Sequence, residues 1–312
     1  PDHLPVVLMS PVVLPKYRYP NPQRVREGRQ QIIDRLTQLP GVVRASSATN
    51  LPFAGRWQIT VTPEGVPLEK VPLTVNNILM PGYFEALGIR LVDGRTFDAH
   101  DGPGTPPAII VDETFAQRFF PGQRAVGHLV KWGSATSTDP WKTIVGVVRT
   151  VKARSLDETS MPETYFAGLQ QDQDSGLVDF ALRGQRYVVR TTGDPVAMAA
   201  AVRSAVRAVD PELPVTDVET GESLVARSVD GRRFETLLFG AFAALALILA
   251  AVGVYGLIAY SVVQRQREIG IRIAMGATAA GVVRLILREC AWTAGAGAAL
   301  GLVGAVTLTR LM

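Results

Sequence analysis

Cysteine is nearly missing from this 312-residue sequence: Cys290 stands alone. No internal disulfide can form, and no zinc site can be built from thiolates. Histidine is almost as scarce. His3, His100 and His128 are scattered and match no metal-ligand spacing. There is no G-x-x-x-x-G-K-[ST] phosphate cradle, so nothing reads as a nucleotide-hydrolysing site. No serine or cysteine sits in a nucleophile elbow. Asp98, His100 and Asp101 lie close together, but the stretch Asp98-Ala-His100-Asp101-Gly102 reads as a polar loop after a strand. Neither an enzyme, nor a metal site, nor a cofactor site has a residue to stand on.

Charge is also missing from two long runs. Residues 237–263 are 27 positions without a charged side chain, and residues 290–309 are 20 more. A helix of 27 residues spans about 40 Å, more than the roughly 30 Å hydrocarbon core of a bilayer. Buried core helices of a soluble protein are shorter and keep a polar edge, so both runs read as membrane spans. The second contains Gly297-x-x-x-Gly301, a spacing that lets helix backbones approach closely in lipid. Tyr260 and Trp292 suit an interfacial belt. Apart from Tyr and Cys290, neither run holds an ionisable side chain that would mark an ion path. The chain opens at Pro1 and stops at Met312 inside an apolar run, and it reads as part of a longer protein.

What charge there is falls unevenly. Residues 1–234 hold 26 basic and 25 acidic side chains, so they are nearly neutral. This argues against a nucleic-acid surface on that part. Residues 264–289 hold five arginines, at 265, 267, 272, 284 and 288, against Glu268 and Glu289. Two spans joined by 26 residues make a hairpin, and a short Arg-rich connector stays cytoplasmic. Residues 1–234 would then lie outside the cytoplasm.

The large part reads as mixed helix and strand. Residues 6–9 are a short apolar run. Asn21-Pro22 is a good cap pair for a helix with Val25, Ile32, Ile33, Leu36 and Leu39 on one stripe. Pro40-Gly41 ends it, and residues 42–48 resume as a strand. The same order returns late: a strand at 187–192, a helix from Asp194-Pro195 to Val209, and a strand at 213–218. Two such units far apart in sequence predict an α+β layer of the split βαβ type. Between them, about residues 51–185, an inserted, mostly β subdomain is expected. Its strands fall at 57–62, 73–79, 108–111, 128–132, 142–151 and 164–167, with short helices at 81–87 and 112–119. Residues 133–140 and 170–176 read as polar loops.

The connector itself, 264–289, is patterned. Residues 266–275 predict a short amphipathic helix. Glu268 and Arg272 form an i,i+4 pair in the favourable order. Ile269, Ile273 and Gly276 share one face, with Ile271 and Met275 on the flank. Gly276 is placed to end the helix and Thr278 to cap the next. Physics leaves two readings open: an interfacial helix that anchors the hairpin by Arg to lipid phosphate, or a helix that docks its Ile/Met face into a partner's groove.

The stretch QREIGIRIAMGAT at 266–278, following AVGVYGLIAYSV, resembles the signature of the FtsX-like/MacB-like permeases of ABC transporters. LPGV at 39–42, PGYFEALGIRLVDGRTF at 81–97, VDETFAQRFFPGQRAVGH at 111–128, IVGVV at 144–148, VVRTTGDP at 188–195 and VDPELPV at 209–215 resemble the periplasmic core domain of that family. The pattern is most similar to the second half of duplicated orphan permeases.

The resemblance implies a porter-like extracytoplasmic layer over residues 1–234 and a truncated FtsX-like membrane domain over 235–312. It also implies location in a bacterial inner membrane. It implies a separate ATPase subunit on the cytoplasmic side. The contact would be the connector: Arg267, Glu268, Ile269, Gly270, Ile271, Arg272, Met275, Gly276 and Ala277. Gly297 and Gly301 would pack helices. A second permease half or a homodimer partner, membrane lipid and an extracytoplasmic adaptor complete the implied partners. The leading expectation is thus a permease or mechanotransmission subunit for export or extraction of a substrate. The alternative is an FtsX-like regulator of an extracytoplasmic cell-wall hydrolase.

Overall fold

The computed structural model describes residues 6–52, 57–66, 71, 73–134, 137–151, 161–171, 176–215 and 218–275, with single helical positions at Gly281, Arg284, Arg288, Gly297, Gly301 and Thr307. The chain divides into two units, Pro1–Asp230 and Gly231–Met312.

The first unit begins with β1 (Val6–Met9), whose four apolar side chains are all buried. A two-residue strand β2 (Val12–Val13) follows. Helix α1 (Pro22–Thr37) starts where Asn21 Oδ1 accepts the Arg24 N–H at 2.9 Å and Pro22 needs no donor. It delivers Val25, Ile32, Ile33 and Leu36 to the core. β3 (Val42–Ala48) returns beside it.

Much later come β11 (Gly184–Thr191), α5 (Pro195–Val209) and β12 (Val218–Thr220). Asp194 caps α5 by accepting the Val196 N–H at 2.9 Å. The four long-range partners lie in the order β3-β11-β1-β12, each neighbour antiparallel. The period-2 alternation of strand side chains splits the core in two. Val7, Met9, Ala45, Tyr187 and Val189 meet the α1 and α5 side chains on one face. Val6, Leu8, Ala48 and Val188 meet Tyr83 and Phe84 on the other. Those two rings belong to α2 (Tyr83–Leu87).

The residues between β3 and β11 form a ring. Its strands are β4 (Gln58–Pro63), β5 (Leu73–Leu79), β7 (Ala108–Asp112), β8 (Leu129–Trp132), β9 (Trp141–Val148) and β10 (Glu163–Ala167). Pairing runs β4-β5-β10-β7-β9-β8 and back to β4, so the six strands close on one another. Closure removes free edges. Val61, Ile78, Ile109, Val111, Val130, Ile144 and Phe166 fill its core. A single pairing, Ala48 with Leu79, joins β3 to β5.

β6 (Leu91–Gly94) lies against the far half of β9. There the backbones approach so closely that a Cβ on Gly146 would sit 2.2 Å from the Arg95 carbonyl oxygen. Helices α3 (Glu113–Phe119) and α4 (Gly176–Arg183) complete the unit.

The strand expected at 213–218 is shorter and later than the pattern suggested. Leu213 and Val215 are buried but outside any strand, and pairing begins only at Val218. Pro211 and Pro214 lack the N–H a ladder needs; residues 216 and 217 lie outside the described residues. β9 stops at Val148 rather than 151, because the Arg149 N–H turns to the Arg90 carbonyl at 2.9 Å and the Thr150 hydroxyl to Asp112 Oδ2 at 2.8 Å. Strands β2 and β6 and helix α4 had no counterpart in the sequence pattern.

Helix α6 (Gly221–Gln264) is 44 residues long and carries the chain into the second unit. α7 (Gln266–Ala274) follows after the single turn residue Arg265.

Candidate functional site

Among the described residues of the second unit, one helix is apolar along its length. Within α6, Thr236–Gln264 has a mean hydropathy of 2.6 over its most apolar window, and none of that window is buried by the chain. It is long and apolar enough to cross a membrane. The segment closes at Tyr260, whose hydroxyl accepts a hydrogen bond from Gln264 Nε2 at 2.8 Å. An aromatic ring with a polar tip suits the level where hydrocarbon gives way to headgroups. The second charge-free run, 290–309, lies outside the described residues except for Gly297, Gly301 and Thr307, which are helical.

The α6-to-α7 junction keeps helical hydrogen bonds through Arg265. Its N–H donates to Ser261 O at 3.2 Å and its carbonyl accepts the Ile269 N–H at 2.9 Å. α7 therefore begins two residues past the end of the span, and a Met275 N–H to Ile271 O bond at 3.0 Å holds its last turn.

Along α7, Arg267, Glu268 and Gly270 are exposed and Ile269 is half-buried. Ile271 is 62 % exposed and Met275 83 %. Four residues apart, these two share one face. The sequence pattern grouped Ile269 with Ile273 as the main apolar face and put Ile271 and Met275 on its flank. Among the described side chains of that face and its flank, Ile271 and Met275 stand more open than Ile269. The side chains of Arg272 and Ile273, and all of Gly276 and Ala277, lie outside the described residues. At Gly297 and Gly301 a Cβ would meet nothing within 4 Å among the described residues.

In the first unit the described polar clusters are tied into the fold. His100 is almost fully exposed, its Nδ1 3.0 Å from Asp98 Oδ1. Asp101 beside it is buried and takes both Arg95 Nη atoms, at 2.7 and 2.8 Å. The loop 98–102 is thus a tied turn. His128 stacks on Phe120, with centroids 4.5 Å apart, and places Nδ1 2.5 Å from Glu64 Oε1. Among the described residues no three His, Cys, Asp or Glu side chains could share a metal ion.

Asp112, like Asp101 and Asp210, is a buried carboxyl. Burial pushes its pKa up, while the Glu163 and Phe115 N–H groups and the Thr150 hydroxyl pull the other way. It caps α3 at 2.8 Å and accepts from Glu163 N at 3.0 Å, a structural duty. The cleft bordered by Asn50, Leu51, Tyr83, Glu163 and Tyr165 has room for about one water. Ile271 and Met275 are an exposed apolar pair on α7, as Phe180 and Val196 are exposed singly in the first unit.

Comparison with known proteins covers most of the chain. The MacB-like periplasmic core domain family matches residues 9–209, and the FtsX-like permease C-terminal family matches residues 240–312. The chain is 30% identical over 226 residues to the macrolide export ATP-binding/permease protein MacB 2 of Aeromonas hydrophila, covering 70% of this chain and 33% of that protein. It is 25% identical over 224 residues to the ABC transporter permease YknZ of Bacillus subtilis, covering 71% and 53%. The crystal structure of the periplasmic region of MacB from Actinobacillus actinomycetemcomitans superposes with a TM-score of 0.47 at 9% identity, covering 72% of this chain and 92% of that one. The chain spans about a third to two fifths of the length of the MacB relatives it matches.

Proposed function

The chain belongs to the MacB-like family of ABC transporter permeases, with an FtsX-like membrane part, and from that membership we propose that it couples a separate ATPase to an extracytoplasmic domain for export or extraction of a substrate. Residues 1–234 form the extracytoplasmic domain, with the porter-like layer at its ends and the ring of about 51–185 inserted. Residues 237–263 span the membrane, 264–289 turn on the cytoplasmic side, and 290–312 return. A second permease half or a second copy completes the membrane domain, Gly297 and Gly301 lying at a helix contact. An adaptor meets the extracytoplasmic domain.

One observation carries this reading: Ile271 and Met275 stand exposed on a short helix that begins two residues beyond a membrane-length one. A helix that carries on the hydrogen bonding of the span can pass force in either direction. Its apolar pair offers an ATPase subunit the i,i+4 anchors that helix-in-groove contacts use. Burying two such side chains is worth about 3 kcal/mol, or about a hundredfold in affinity.

Co-purification of the ATPase subunit with the full chain tests it. Ile271→Glu with Met275→Glu is expected to lose the ATPase subunit, whereas Gln266→Ala at the helix start is expected to keep it. Undiminished co-purification with the double variant would show that α7 does not dock.

A further inference from the structure

Arginine is the only basic residue type around the membrane segments, and its placement follows the ends of the apolar runs. Arg265 is the turn residue directly after Gln264, and Arg267 follows on α7. Arg284 and Arg288 occupy exposed helical positions four apart, shortly before the second charge-free run begins at residue 290. Arg267, Arg284 and Arg288 are exposed. Glu268 and Glu289 are the only acidic residues between 264 and 289.

The level of these arginines follows from the span. The 27 charge-free residues cover about 40 Å against a hydrocarbon core of roughly 30 Å, so even a tilted helix ends among the headgroups. Tyr260, bonded to Gln264 at 2.8 Å, marks the same level. Arg265 and Arg267 then stand past the end of the apolar run, at headgroup level. Phosphodiester groups of lipid lie there. A guanidinium fork matches two phosphate oxygens at once, which a lysine ammonium does not.

We propose that Arg265, Arg267, Arg284 and Arg288 form a recognition surface for anionic phospholipid headgroups at the two membrane ends of the connector. Zwitterionic lipid offers the same phosphate, but its choline cancels the field that the arginines meet. An anionic lipid is therefore preferred over phosphatidylcholine by about fivefold for each arginine engaged. This surface is separate from the Ile271/Met275 pair and does not depend on what docks there.

The test uses the full chain in bilayers of phosphatidylcholine doped with spin-labelled phosphatidylglycerol or spin-labelled phosphatidylcholine. The motionally restricted fraction of each label gives their relative association with the protein. A preference for phosphatidylglycerol of at least fivefold is expected. It should fall to about unity when all four arginines are changed to Gln. The milder variants, Arg265→Gln with Arg267→Gln and Arg284→Gln with Arg288→Gln, should each lose part of it. No preference in the unaltered chain, or a full preference in either paired variant, overturns the proposal. Inorganic phosphate at constant ionic strength should leave the preference intact; its loss would mean that the arginines bind free anions instead of lipid.

Discussion

Replacing Arg29 by methionine removes a charge that the first unit has built itself around. Arg29 lies on the inner face of α1 and is 1 % exposed. Its Nε donates to Leu182 O at 3.2 Å, Nη1 to the Tyr187 hydroxyl at 2.9 Å, and Nη2 to Val12 O at 2.7 Å and also to Arg183 O. One side chain thus ties α1 to β2, to the end of α4 and to β11. Its guanidinium carbon also sits 5.3 Å from the Tyr187 ring centre.

Methionine fills much of the same volume but donates nothing. Arg183 O keeps a second donor, Leu14 N at 2.9 Å. Val12 O and Leu182 O lose the guanidinium, each at about 1–3 kcal/mol for a buried acceptor left without a donor. Relief of the buried cation's desolvation offsets part of that. The net expectation is a loss of about 3 kcal/mol, or about 6–12 °C in the melting of a unit this size. Urea unfolding of the full chain in detergent, followed by tryptophan fluorescence, measures it, since Trp57, Trp132 and Trp141 all lie in this unit. Arg29→Lys keeps some donors and should fall between the two. A methionine variant within 0.5 kcal/mol of the parent would show that these carbonyls find other donors, and the reasoning would fail.

Three further outcomes are expected. Gly146→Ala would press a Cβ to 2.2 Å from the Arg95 backbone oxygen; backbone cannot rotate aside, so the unit should lose about 2–3 kcal/mol, read in the same urea titration, while Gly65→Asn, where φ is +73° and a Cβ meets nothing within 4 Å, should cost well under half as much. Tyrosine ionisation should lag: burial first, then Asp210, raises Tyr19 to about 12, and burial raises Tyr83, Tyr165 and Tyr187 above the usual 10. Because the folded pKa values lie above the unfolded ones, stability is steady below pH 10 and falls as pH rises through the folded values; absorbance at 295 nm near pH 11 should show less phenolate than the denatured chain. For topology, a membrane-impermeant maleimide applied to intact cells should label His100→Cys and spare Ala277→Cys; the reverse pattern would invert the proposed orientation.

The parts of the fold that could be read from sequence are those with local causes. Asn21-Pro22 and Asp194-Pro195 are start signals whose chemistry is complete within four residues, and α1 and α5 begin where they stand. The strands of the ring were legible one by one as β-branched runs. Their closure was not, because the seam between β5 and β10 pairs Val75 with Glu163 across 88 residues of chain. Nothing local at either position states that partnership. α4 escaped for a related reason: eight residues make barely two turns, and its stability comes from Val178, Ala181 and Leu182 packing into a core assembled elsewhere. Nothing local marks Arg29 as buried; its partners Val12, Leu182 and Tyr187 come from distant segments.

The candidate site divides along the same line. A charged, helical stretch between two charge-free runs is a local pattern, and α7 (Gln266–Ala274) falls almost where periodicity puts it, at 266–275. Which of its faces is open is a tertiary property. An isoleucine has the same apolar character at 269 and at 271, yet the first is half-covered and the second stands out at 62 % with Met275 beyond it at 83 %. Helical position alone separates them by about 200°, and only packing decides which side is spent inside the chain. Substitutions at Ile269 therefore mix a stability effect with any binding effect. Substitutions at Ile271 and Met275 remove little that the chain itself uses. A binding defect confined to the second pair, with the urea midpoint unchanged, is the result that separates docking from folding.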